Sequence, residues 1–255
     1  MPFLVIDSHR LEYVRIAAAD GPGRPPLVFL HEGLGSVAMW KDFPARVARA
    51  TGCEAVVYSR YGYGQSDPIA APRPVRYMHD EALVALPAFL EALEVERPIL
   101  VGHSDGGSIA LIHAGGSGRP VAGLVLLAPH VLVEDLSVAS IAAAREAYEA
   151  GDLRPRLARH HADVDSAFRG WNDVWLHPDF RAWNIEEYLP RIDCPVLAIQ
   201  GKQDPYGTME QIRRIERAVK DVEVRELEKC GHSAHRDHPE AVIEAMVRFV
   251  GRAAG

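Results

Sequence analysis

The chain has 255 residues, 28 Lys and Arg against 35 Asp and Glu, a formal net charge of −7 and 48% hydrophobic residues. This suits one large α/β domain or two small ones, and the acidic balance without a dominant basic patch argues against non-specific nucleic-acid binding. No apolar run approaches the roughly 20 residues of a membrane span, the N-terminus has no basic signal-peptide region, and Cys53, Cys194 and Cys230 lack metal-ligand spacing, so a cytoplasmic protein with no membrane partner is expected.

Phe3 to Ile6 and Leu11 to Ile16 predict an opening hairpin, followed by a Gly/Pro/Ala turn over Ala17 to Pro26. Pro26 to Leu30 is a continuous apolar strand, as a sheet covered on both faces requires. His31 to Ser36 is a loop, Met39 to Ala50 a helix, Glu54 to Tyr58 the next strand and Arg60 to Pro74 a long Gly- and Pro-rich loop. Tyr77 to Leu93 carries helical spacing with Pro87 as a bend. Pro98 to Val101, Val121 to Ala128, Cys194 to Gln200 and Val222 to Leu227 are further strands, alternating with helices from Ser108, Met209 and Pro239. Repeated βα units imply a parallel sheet with right-handed crossovers and ligands at the carboxyl ends of its strands.

The stretch from His130 to Ile192 breaks this rhythm. It predicts helices over Val138 to Glu149, Leu153 to His161 and Ser166 to Leu176, and it holds Trp171, Trp175 and Trp183 with Phe168, Phe180 and Tyr188. The expected organisation is a core of residues 1–130 and 193–255, with 131–192 as a helical lid.

Val101-Gly102-His103-Ser104-Asp105-Gly106-Gly107 follows a strand and precedes a helix, the setting in which Gly-x-Ser-x-Gly forms a nucleophile elbow. The turn is too sharp for side chains two residues to either side of the serine, and glycine stands at both places. A serine hydroxyl needs a base to take its proton and a carboxylate to orient that base. Asp204, after one buried strand, and His232, after the last, lie at the same sheet edge as Ser104. His235 is the alternative base and Asp135 the alternative acid. His232, His235, His238 and Asp237 do not have the spacing of common zinc sites.

With these residues in view, the chain resembles an α/β-hydrolase-fold serine hydrolase over essentially its whole length. The segments that carry the likeness are His31-Glu32-Gly33-Leu34-Gly35-Ser36, Ser59 to Asp67, the elbow, and Gly231-His232 with Asp237-His238-Pro239-Glu240. The resemblance implies an α/β-hydrolase fold, a mostly parallel eight-stranded sheet with a helical lid after the sixth strand. It implies Ser104 as nucleophile, His232 as base and Asp204 as orienting acid, with the N–H groups of Gly33 and Asp105 as oxyanion hole and no cofactor. Three positions depart from the pattern: Glu32 stands where glycine is usual, Ser59 where aspartate is usual, and Asp105 where an apolar residue is frequent. Glu32 is expected to brace its loop or to meet substrate, Ser59 to be structural, and the Asp105 side chain to hydrogen-bond locally at the helix start.

The aromatic lid favours a small substrate with an apolar or aromatic acyl group, with Glu32, Trp171, Trp175 and Trp183 as candidate contacts. Arg145, Arg154, Arg156, Arg159, His160 and His161 make the early lid basic, either as a solvated face or as a site for a carboxylate or coenzyme A phosphates. The expected reaction is hydrolysis of a small carboxylic ester or lactone. Acyl-CoA thioester hydrolysis, C–C bond hydrolysis of a dienoic diketone, and a small-molecule sensor with residual activity are the alternatives.

Overall fold

The computed structural model describes residues 2–18, 23–69 and 72–253. Positions 19–22, within the expected Gly/Pro/Ala turn, and 70–71, within the long loop, lie outside the described residues. Eight strands form one sheet in the order β1-β2-β4-β3-β5-β6-β7-β8. They are β1 (Phe3–Ile6), β2 (His9–Ile16), β3 (Leu27–Leu30), β4 (Ala55–Tyr58), β5 (Ile99–His103), β6 (Gly123–Leu127), β7 (Val196–Gly201) and β8 (Val222–Leu227). β2 is antiparallel to both neighbours, and β4, β3, β5, β6, β7 and β8 run parallel.

The two faces of the sheet bury alternate residues of each strand, as the two-residue strand period dictates. Leu27, Phe29, Val57, Val101, Leu127 and Ile199 pack beneath α1 (Phe43–Thr51) and α10 (Pro239–Ala253). Val28, Leu30, Leu100, Leu126 and Val196 face the opposite layer, where α4 (Asp105–Gly116) contributes Ile109 and Ile112.

Two expected helices are reshaped near a proline, one interrupted and the other continuous with a widened turn. The segment expected as one helix from Met39 is a 3-10 turn over Val37–Trp40, a left-handed Lys41 at φ 54°, and then α1 with Pro44 in its first turn. Pro44 lacks an N–H and is tolerated only where that donor would be unpaired. The run from Tyr77 comprises α2 (Tyr77–Asp80), a π-helical turn over Glu81–Ala85 and α3 (Leu86–Ala92), with Pro87 in the first turn of α3. The wider turn accommodates the missing donor.

Between β6 and β7 the chain forms α5 (Asp135–Ala150), α6 (Leu153–Leu157), α7 (Val164–Trp175) and two 3-10 segments, Pro178–Ala182 and Glu186–Arg191. This insertion leaves and returns side by side: Leu132 bridges Asn184, and Ile185 N–H donates to the Val131 carbonyl at 2.9 Å. The expected helix to His161 stops at Leu157, because His161 turns away to the loop after β3. Its Nε2 donates to the Leu34 carbonyl at 3.0 Å, and its Nδ1 accepts from Gly64 N–H at 3.0 Å. α8 (Glu210–Ala218) and α9 (Ala234–Asp237) complete the order.

Candidate active site

Ser104 joins β5 to α4 at φ 53° and ψ −117°, a conformation costing a non-glycine residue about 1–3 kcal/mol. The surroundings hold it there. Ser104 N–H donates to the Leu127 carbonyl at 2.9 Å, and its own carbonyl accepts from Gly107 and Ser108 N–H at 2.8 and 3.1 Å. A Cβ on Gly102 would stand 2.3 Å from the Gly106 carbonyl oxygen, and one on Gly106 would stand 2.0 Å from that of Leu30. Gly102 therefore makes room for the helix start, and Gly106 makes room for the end of β3. The Ser104 hydroxyl has no hydrogen-bond partner among the described residues.

His232, on the loop after β8, donates from Nδ1 to both carboxylate oxygens of Asp204, at 2.8 and 2.9 Å. The Asp204 carboxylate, on the loop after β7, also accepts from Gln200 Nε2 at 2.7 Å and Tyr206 N–H at 2.8 Å. Burial pushes its pKa up, but the bond and charge of His232 outweigh burial and hold it below the usual carboxylate range. With Nδ1 engaged, Nε2 is the His232 nitrogen left to exchange a proton.

The loop after β3 presents a second donor. The Glu32 carbonyl accepts from His31 Nδ1 at 2.7 Å, Arg60 Nη2 at 2.9 Å and Gly35 N–H at 3.0 Å. A trans peptide points its N–H opposite its carbonyl, so these bonds turn the Gly33 N–H the other way. Neither that N–H nor the first N–H of α4, from Asp105, has an acceptor among the described residues. His31 is kept neutral by burial and the nearby Arg60 charge, which fits its tautomer: Nδ1 donates, and Nε2 accepts from Arg60 N–H at 3.1 Å.

The three departures have distinct roles. The Glu32 carboxylate curls under its own loop, where a Cβ on Gly35 would stand 2.5 Å from Oε2. It faces His103 Nδ1 at 3.5 Å and Arg236 Nη2 at 3.4 Å. Burial raises its pKa, yet those neighbours bring it well below the usual range. Ser59 Oγ donates to Glu12 Oε2 at 2.7 Å and accepts from Val37 N–H at 2.9 Å, in the expected structural role. The Asp105 side chain corrects the expectation of a local bond. It accepts from Tyr77 Oη and, at 3.3 Å, from Trp175 Nε1 of the insertion, with Arg60 Nη2 at 4.0 Å. Burial raises its pKa, against the pull of that arginine.

The alternative acid and base stand apart from this arrangement. Asp135 is exposed and paired with Arg181. His235 is 4% exposed against Trp40 and Phe43, and neither ring nitrogen has a partner. His238 donates to the Lys229 carbonyl, so the three histidines of this segment point to different places. Of the insertion's tryptophans, Trp171 lies against the loop after β3: a Cβ on Gly33 would be 2.1 Å from its Nε1. Trp175 is buried with its N–H on Asp105 and Tyr77, and Trp183 stacks on Phe180 within the insertion. Arg145, Arg154 and Arg156 pair with Asp173, Asp165 and Asp152 of the insertion itself, which favours the solvated-face reading of that basic stretch.

Sequence reading missed His130 and Gln200, and it counted His161 in the basic stretch of the insertion, whereas burial pushes its pKa down to about 4 and its ring ties Leu34 to Gly64. His130, after β6, is buried 5.9 Å from the His232 ring centroid, and burial pushes its pKa down to about 3. Gln200 was visible only as the end of a strand, four residues before Asp204, and no residue pattern singled it out.

The Alpha/beta hydrolase family model matches residues 27–245. A 2-hydroxy-6-oxononadienedioate/2-hydroxy-6-oxononatrienedioate hydrolase of Cupriavidus pinatubonensis is 24% identical over 98% of this chain and 94% of its own length. Among solved structures, a proline iminopeptidase of Mycobacterium smegmatis superposes with a TM-score of 0.82 at 17% identity, covering 99% of this chain and 98% of the other. The enol-lactonase of Burkholderia xenovorans superposes at 0.76 and 18% identity, covering 98% and 100%. The elbow, the sheet order and the family match together show that this chain belongs to the alpha/beta hydrolase family and is an enzyme of the hydrolase class.

Proposed function

We propose that the chain is a serine hydrolase that cleaves a small carboxylic ester or lactone through an acyl-enzyme. The observation that carries this reading is the Asp204–His232 pair, closed on Nδ1 with Nε2 left free, at the same sheet edge as an unpartnered Ser104 hydroxyl. In the first step His232 Nε2 takes the Ser104 proton as Oγ attacks the carbonyl carbon. The oxygen that becomes negative is stabilised by the Gly33 and Asp105 N–H groups, and the positive end of the α4 dipole adds to that. His232 returns the proton to the leaving oxygen. Water, deprotonated by the same nitrogen, then releases the acid. The insertion acts as a lid, with Trp171 over the oxyanion loop as the wall nearest the acyl group.

A second reading keeps the same triad and replaces the ester by a C–C bond next to a ketone. It is favoured by the Cupriavidus relative, which matches nearly end to end and is named for a dienedioate substrate. The test is a panel of p-nitrophenyl esters, aryl and alkyl lactones, acyl-CoAs and a dienoic diketone, run with wild type and Ser104→Ala. Ester or lactone turnover that is lost in Ser104→Ala supports the first reading. Preference for the diketone selects the second. Turnover surviving in Ser104→Ala overturns both.

A further inference from the structure

We infer that Glu32 and His103 form a positioning pair for the base: one carboxylate in the oxyanion loop holds the His232 backbone in register with Ser104. The inference rests on the serine-hydrolase reading and adds residues that do not touch the reacting atoms.

His103 is the last residue of β5, directly before Ser104, and its side chain is 1% exposed. Its Nε2 lies 2.9 Å from the carbonyl oxygen of His232. A carbonyl oxygen only accepts, so Nε2 carries a proton and donates. Its Nδ1 lies 3.5 Å from Glu32 Oε2, a charge contact and not a hydrogen bond. The ring is therefore held by one hydrogen bond, from Nε2 to the backbone of the base loop, while Nδ1 stands beside the Glu32 carboxylate without hydrogen-bond geometry. Glu32 makes a second tie to the base loop through Arg236 Nη2 at 3.4 Å, and the same guanidinium donates to the Met39 carbonyl at 3.1 Å. Arg236 sits four residues after His232, in α9.

These contacts join the three loops that hold the proposed oxyanion donor, nucleophile and base. The His232 carbonyl belongs to the residue whose ring must reach Ser104, so pinning it limits how far that ring can swing. The surroundings are dry on one side: Trp40 and the unpartnered His235 pack within 4.9 Å of each other, and His235 lies edge-on to His103 at 4.8 Å. The carboxylate is taken under the loop by the space that Gly35 leaves. It is thus aimed away from the Gly33 N–H, where a negative charge would oppose an oxyanion. This gives Glu32 a role that glycine at the same position cannot supply.

The test measures p-nitrophenyl acetate turnover, the rate of fluorophosphonate labelling of Ser104 and thermal unfolding. The proteins are full-length wild type, Glu32→Gln, Glu32→Asp, His103→Asn and the Glu32→Gln/His103→Asn double variant. Misplacing a catalytic group by a fraction of an ångström costs on the order of tenfold, so Glu32→Gln and His103→Asn should each lower kcat and the labelling rate about tenfold, with KM within about twofold. The double variant should be no worse than the worse single one, because both changes break one linkage. Glu32→Asp should recover part of the loss. Should His103→Asn fail to fold, His103→Leu, which removes both ring nitrogens, replaces it in the cycle. Wild-type kcat and labelling in Glu32→Gln, a change confined to KM, or losses that multiply in the double variant overturn the pairing. Labelling that persists in Ser104→Ala instead overturns the serine-hydrolase reading, and the pairing with it.

Discussion

Two carboxylate–histidine pairs lie side by side at the sheet edge, and they are built in opposite senses. In Asp204–His232 the carboxylate side chain is 1% exposed and the imidazole 16%; in His103–Glu32 the imidazole is 1% exposed and the carboxylate 16%. The first pair is hydrogen-bonded at 2.8 Å, the second stands at 3.5 Å. His232 spends one nitrogen on its acid and leaves the other accessible, whereas His103 makes its one hydrogen bond to a backbone carbonyl and turns its other nitrogen to the buried side. A histidine moves protons only if one nitrogen can reach substrate or nucleophile, so the proposed roles differ: transfer for the first pair, positioning for the second.

The largest effect that would break this comparison is at the first pair. His232→Ala should lower kcat/KM on the order of 10⁴-fold or more, and Asp204→Asn comparably, because triad members act as a unit and the neutral amide favours the wrong tautomer. Both variants should unfold at temperatures close to wild type, and steady-state kinetics beside a thermal melt checks this. If Asp204→Asn retained wild-type rates, the acid would have to be sought elsewhere, and exposed Asp135 offers no contact for it.

The next effect is on stability in acid. Burial holds His130 at about 3, His235 at about 2 and His161 at about 4 in the folded chain, against about 6.5 when unfolded. Below about pH 6.5 the unfolded chain binds protons that the folded chain refuses, so stability is complete above that pH and falls as pH drops towards 4. Each such group contributes about 1.4 kcal/mol per pH unit in that window. Melting curves at pH 7.5, 6 and 5 should show a progressive fall. His161→Gln should flatten it by removing one titrating group, and an unchanged slope would remove His161 from this account.

The smallest effect sharpens the contrast between His232 and its neighbour in sequence. His235→Leu removes two buried polar atoms without partners and should leave kcat within about threefold and stability equal or higher, since an unsatisfied buried polar group is a cost. A loss of activity as large as that of His232→Ala would mean that His235 is the base.

Much of this site could be read from the chain because it depends on short-range rules. The elbow is a local steric problem with one solution, glycine at 102 and 106, and the alternation of apolar strands with helices sets the order of the loops at the sheet edge. The departures at Glu32 and Asp105 were visible as departures, but their partners were not. Asp105 meets Tyr77 and Trp175, separated from it by 28 and 70 residues, and Glu32 meets Arg236 from 204 residues away. The π-turn before Pro87 and the break before Pro44 show the same limit on a smaller scale: periodicity sees a helical face, whereas the missing N–H of a proline decides how the turn is wound.

The sequence by itself determined the α/β architecture and the elbow, because glycine sterics and hydrophobic period act over a few residues, and its resemblance to the hydrolase family singled out Ser104, Asp204 and His232. Only the tertiary structure decided which histidine meets a carboxylate with a nitrogen to spare, where the Glu32 charge points, and which tryptophan touches the loop after β3. Those outcomes depend on which distant side chains share a buried volume, and there an ionised or hydrogen-bonding group must find a partner or be shifted to its neutral form.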